Sequence, residues 1–227
     1  MGEQRRKIRS FVRRSGRLST SQKHALSAYR DIYCVNITNK KIDPYAVFRN
    51  NNPLIVEIGF GMGHATIELA ERFPDYNFLG IEVHVPGVGK ILDEINKREI
   101  KNLRVIQDDA VEVLDRMIPN NSIRGFHIFF PDPWPKKKHH KLRLLQPEFV
   151  HKLAIGLQLG GYIYAVTDWE DYAQQILHVF NEEPLLVNPN GGFAPPIEWR
   201  PKTSFQRKGE EKQHMIREVW AEKSVSG

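Results

Sequence analysis

Between residues 54 and 130 the chain carries four short apolar runs, and an acid stands at or just past the end of each. Leu54-Ile55-Val56-Glu57-Ile58-Gly59 is the first. Residues 78–82 end in Glu82, residues 103–107 are followed by Asp109, and residues 123–130 by Asp132. Runs this short, bounded by turn residues and without polar alternation, read as strands buried on both faces. Helical patterns separate them, over residues 64–73, 86–98 and 110–117. Residues 147–158 and 169–181 continue the helical series around a fifth strand at 161–167. Such alternation predicts an α/β fold, a parallel sheet with helices on both faces. Residues 214–223 alternate as a last strand at the end of the sheet. Residues 188–209, rich in Pro, Gly and Asn, are too long for a simple turn and read as a functional loop.

At 227 residues the chain fits one domain, or one domain with an arm. Residues 1–45 read as a flexible basic arm. They carry Arg5, Arg6, Lys7, Arg9, Arg13, Arg14, Arg17, Lys23 and Arg30 against few acids and few large apolar residues. Residues 46–227 form the folded domain. The formal net charge of +6 fits a polyanionic partner. Cys34 is the single cysteine, which excludes an internal disulfide framework and a multi-cysteine zinc site. No apolar run is long enough to span a bilayer, and a soluble cytoplasmic protein is expected.

The most specific stretch is Phe129-Phe130-Pro131-Asp132-Pro133-Trp134-Pro135-Lys136. Each proline disfavours the α region for the residue before it, so Phe130 and Asp132 are expected to be extended. That holds Asp132 stiffly past a strand's carboxyl end, the edge where open α/β sheets bind ligands. Trp134 adds a π face that either stacks on a base or packs beneath the loop. A basic run, Lys136-Lys137-Lys138-His139-His140-Lys141, follows. Carboxylate, aromatic face and cations together point to chemistry on a nucleic-acid base. His139 and His140 have no carboxylate or cysteine nearby in the sequence, and no metal is expected there.

The loop Glu57-Ile58-Gly59-Phe60-Gly61-Met62-Gly63 closes the first strand and opens a helix whose free amides face a ligand. His64 stands where the dinucleotide fingerprint wants its third glycine. A carboxylate at Glu57 repels a pyrophosphate but suits a cationic ligand. S-adenosylmethionine, with an ammonium, a sulfonium and no phosphate, matches such an acidic, glycine-lined cleft. Asp109 and Asp168 each also suit a helix cap.

These residues resemble the bacterial tRNA (guanine-N7-)-methyltransferases, in the family's order across about residues 53–222. The stretches are Val56-Glu57-Ile58-Gly59-Phe60-Gly61-Met62-Gly63, Gly80-Ile81-Glu82, Asp109-Ala110, Phe129 through Trp134, Leu159-Gly160-Gly161, Thr167-Asp168-Trp169 and Thr203-Ser204-Phe205. The resemblance implies a Rossmann-like class I methyltransferase fold, a mostly parallel seven-stranded sheet with an antiparallel last strand. It implies S-adenosylmethionine as donor and tRNA as acceptor, methylated at N7 of the variable-loop guanine (position 46). By the same resemblance Glu57, Gly59, Gly61, Glu82, Asp109 and Asp132 line the donor site, with Asp132 catalytic. Lys136, Asp168, Thr203, Ser204, Phe205 and Gln206 contact the substrate, and Lys138, His139, His140, Lys141, Leu142 and Arg143 contact RNA. Bacterial relatives act without a second kind of subunit, and a monomer or homodimer is expected here. One departure stands out: the family usually reads Thr-x-Phe-Glu where this chain has Gln206. A glutamine keeps the hydrogen-bonding carbonyl and loses the charge. The competing expectation is a non-catalytic RNA-binding protein on the same scaffold.

Overall fold

The computed structural model describes residues 16–203, 206, 209, 211 and 214–224. Ser204, Phe205 and the first fifteen residues, which include much of the expected arm, lie outside the described residues.

Five parallel strands form the body of the sheet: β1 (Leu54–Ile58), β2 (Asn77–Ile81), β3 (Leu103–Ile106), β4 (Ile123–Phe129) and β5 (Leu157–Thr167). Two more, β6 (Leu186–Val187) and β7 (Arg217–Lys223), complete the order β3-β2-β1-β4-β5-β7-β6. β7 runs antiparallel to β5, as the resemblance implies. It is not the sheet's last strand in space, because two-residue β6 pairs outside it.

Strand residues alternate between two cores. Ile55, Phe78 and Val105 face a core shared with α1 (Thr20–Tyr33), α3 (His64–Arg72) and α4 (Val85–Lys97). Val56, Leu79 and Ile128 face the other, shared with α2 (Pro44–Phe48), α5 (Ala110–Arg116), α6 (Pro147–Gly156) and α7 (Glu170–Glu182). Both faces of β1 and β2 are therefore dry, which is why their sequences show no alternation.

The second half of the expected arm is folded. Ser19 caps α1 in a capping box with Gln22, whose side chain also donates to Pro86 O at 3.0 Å. Gly89 lets α4 lie close on α1, since a Cβ there would stand 3.0 Å from both Gln22 Cβ and Gln22 O, and Ala25 of α1 is fully buried. Arg30 donates to Gln107 at 2.6 Å. A helix docked through alanine and glycine needs few large apolar residues, and its sequence looks like a solvated basic segment.

Candidate active site

The strand order places β3, β2, β1 and β4 side by side and parallel, so their carboxyl ends form one edge. Glu57, Glu82, Asp109 and Asp132 all stand at that edge. Between them runs the glycine loop, with φ of 77° at Gly59, 59° at Gly61 and 77° at Gly63, values that glycine adopts without cost. A Cβ at Gly59 or Gly61 would meet nothing within 4 Å, so both glycines face open space at the mouth of the cleft. The loop is also pinned from behind. A Cβ on Gly87 in α4 would stand 1.9 Å from Gly61 O, a distance only glycine permits.

Glu57 is 3% exposed, and its Oε2 has no hydrogen-bond partner among the described residues. Burial pushes its carboxyl up to about 7, with Thr66 acting in the opposite direction. An orphaned acid beneath a glycine loop is the arrangement that a cationic ligand group would complete. Glu82 does two jobs. Its Oε2 accepts from Gly61 N at 2.8 Å, and its Oε1 from Val83 N and His84 N at 2.7 and 2.9 Å. That fixes the loop and leaves Oε2 room for a further donor such as a ribose hydroxyl. Asp109 caps α5 by accepting from Val111 N at 3.0 Å, so the capping role is realised at the site's edge.

Asp132 is exposed, on a loop that departs from the expected backbone. Phe130 is not extended: its φ is 53°, and Trp134 has φ 46°. Phe130 N–H donates to Val166 O at 2.7 Å, ending the ladder with β5, and the chain must then turn off the sheet. Pro131 bars the right-handed route, so the turn is made left-handed. Bulky residues there cost about 1–3 kcal/mol each, strain that collects at functional sites. Trp134 is half-buried and edge-on to His139, ring centroids 5.9 Å apart.

The basic run divides. Lys136, Lys137, Lys138 and Lys141 are exposed along a 3-10 helix (Lys137–Leu142), with His139, His140 and Leu142 half-buried. Arg143 does not join this surface. It is 2% exposed, and its guanidinium donates to Pro133 O at 2.8 Å, Gln175 at 2.7 Å and Asp171 at 2.6 Å. Its charge also lies 4.8 Å from the centre of the Tyr172 ring. It therefore braces the Pro-Asp-Pro loop from inside. The Arg143 guanidinium holds the Asp171 carboxyl below its ordinary range.

The late segment reaches the same edge. His214 Nδ1 lies 3.4 Å from Asp168 Oδ2, and Gly209 packs against that carboxylate. Thr203 Oγ1 accepts from Gln206 N at 3.0 Å. Gln206 itself is buried and accepts from Arg200. Sequence reading misses Arg200, Tyr164 and Glu218, which hold this segment, because their partners are distant in the chain. Among the described residues no three His, Cys, Asp or Glu side chains gather to hold a metal ion. A separate cavity of about 240 Å³ is lined by Ile55, Phe73, Arg124, His127 and Trp199.

The strand order and the acid-rimmed glycine loop define a methyltransferase of the Rossmann-like class. Among solved structures the chain is similar to a 16S rRNA methyltransferase, KamB, with a TM-score of 0.58 at 14% identity, covering 94% of this chain and 97% of that one. A family model described as a putative methyltransferase matches residues 51–219. The chain is 49% identical to the tRNA (guanine-N(7)-)-methyltransferase of Paraburkholderia xenovorans over 90% of its own length and 79% of the relative's. It is 47% identical to that of Nitrosospira multiformis, over 95% and 93%. The chain belongs to the tRNA (guanine-N(7)-)-methyltransferase family.

Proposed function

We propose that this protein transfers a methyl group from S-adenosylmethionine to N7 of the variable-loop guanine of tRNA, with Asp132 as the catalytic carboxylate. The observation that carries the reading is the row of Glu57, Glu82, Asp109 and Asp132 on one sheet edge around the glycine loop, with Oε2 of buried Glu57 lacking a hydrogen-bond partner among the described residues.

When bound, S-adenosylmethionine supplies an activated methyl group. Glu57 is suited to the donor's ammonium, and the spare capacity of Glu82 Oε2 to its ribose hydroxyls. Guanine N7 already has a lone pair, so the acceptor needs no base to remove a proton. The protein's task is positioning and charge stabilisation. Methylation at N7 leaves the purine positively charged. Asp132, held between two prolines and braced through Pro133 by Arg143, offsets that charge and orients the base. Lys136, Lys138 and Lys141 are suited to phosphates, and Asp168 and Thr203 line the substrate side. On this reading the enzyme works in the cytoplasm as a monomer or homodimer without a second kind of subunit.

The test is transfer of labelled methyl to tRNA lacking N7-methylguanine, followed by mapping of the modified base. Label at the variable-loop guanine is expected. Asp132→Asn should cut kcat by about a hundredfold or more, the scale of one lost electrostatic contact in the transition state, with donor affinity nearly unchanged. Binding of donor and tRNA without any transfer would overturn the assignment in favour of a non-catalytic RNA-binding protein.

A further inference from the structure

Arg200, Glu218, Tyr164 and Gln206 form one buried polar cluster between the late segment and strands β5 and β7. Arg200 Nε donates to Tyr164 Oη at 2.8 Å, Nη2 to Glu218 Oε1 at 2.7 Å and Nη1 to Gln206 Oε1 at 2.7 Å. Tyr164 Oη donates in turn to Glu218 Oε2, which also accepts from Ile197 N at 3.0 Å. All four side chains are at most 9% exposed. The cluster contains one cation and one carboxylate, so its charge is balanced before Gln206 is counted. A neutral amide therefore completes the hydrogen bonding of Arg200 without burying a second negative charge.

That geometry gives Gln206 a job other than meeting the guanine. Its carbonyl, the part it shares with the family glutamate, is turned inward onto Arg200, and its backbone N–H is taken by Thr203 Oγ1. We propose that Gln206 is a positioning residue, not a guanine contact: held by Arg200, it ties the segment around residue 203 to β5 and β7 and so sets the surface that receives tRNA. Glutamate and glutamine both offer an oxygen to that guanidinium, which accounts for the departure at this position. The inference rests on the functional reading above for the word tRNA, but the tether itself is a property of the free protein.

Gln206→Met keeps length and removes the acceptor. Amide hydrogen exchange in residues 203–209 of the free protein should then quicken by about tenfold, the scale of one bond to a charged group. In the transfer assay KM for tRNA should rise by about tenfold while kcat and donor affinity move little. Gln206→Glu should stay close to the native enzyme in both, since a carboxylate oxygen also accepts from Arg200, and the second buried negative charge should show instead as lower global stability. In an Arg200→Met background, Gln206→Met should add less than it does alone, because the bond to Arg200 is already broken. If that background does not fold, the exchange result decides alone. Unchanged exchange in Gln206→Met would overturn the tether, as would a large fall in kcat at saturating tRNA with KM intact. Should the native protein transfer no methyl at all while exchange still quickens in the variant, the functional reading falls and the tether stands.

Discussion

Among single residues, Glu57 has the clearest physical consequence. Burial raises its carboxyl from an ordinary value of 4.5 to about 7. Between those values the folded chain holds a proton that the unfolded chain has lost. The stability this group lends is thus complete below 4.5, falls as pH rises through the window and levels off above about 7. The span is on the order of 3 kcal/mol. Glu57→Gln should flatten that part of the stability profile, measured by urea unfolding of the ligand-free protein from pH 4.5 to 8. S-adenosylhomocysteine, which keeps the ammonium, should bind native protein more tightly as pH climbs toward 7, and calorimetry on the variant should show weaker binding without that trend. The acids at the strand ends were legible in the sequence because apolar runs announce where strands stop. The inward turn of Arg143 was not. Its side-chain partners Gln175 and Asp171 lie on a later helix, and a basic run does not reveal which member faces the core.

At the scale of elements, the glycine loop depends on what stands behind it. α4 approaches so closely at Gly87 that any side chain there must displace Gly61 O. Gly87→Ala should therefore weaken S-adenosylhomocysteine binding by about tenfold or more, alongside a loss of about 1–3 kcal/mol in stability typical of overpacking. Normal binding in a folded variant would show that the loop moves freely against α4. The Pro-Asp-Pro loop depends on its brace in the same way. Arg143→Met should cost about 2 kcal/mol, a lost bond to a charged group but no stranded buried partner, because Asp171 is largely exposed. Freed from Arg143, the strained backbone at Phe130 and Trp134 should relax and lower kcat more than it raises KM for tRNA. The alternation of strands and helices was legible because burial on both faces writes itself as unbroken apolar runs. α1 was hidden because it docks through the small residues Ala25 and Gly89, with Gln22 facing the latter, and the left-handed turn at Phe130 because a proline signals only which conformation is forbidden.

For the molecule as a whole, the charge is distributed so that chemistry and RNA attraction are separable. Acids occupy the carboxyl edge of the sheet, while Lys136, Lys137, Lys138 and Lys141 stand exposed just beyond it. Gly16, where the described chain begins, packs against His84 and Pro86, just after Glu82. The six cationic residues Arg5, Arg6, Lys7, Arg9, Arg13 and Arg14 precede Gly16 in the sequence. Cations that meet phosphates contribute through counterion release, which steepens the salt dependence of binding by somewhat under one unit per phosphate met. Removing residues 1–15 should lower the slope of log affinity for tRNA against log salt by roughly two to four units, if about half or more of the six meet phosphates. Lys138→Gln with Lys141→Gln should lower it by about one to two. Donor binding should stay unchanged in both. An unchanged slope in the truncated chain would assign RNA attraction to the folded domain alone and reduce the arm to a solubilising tail.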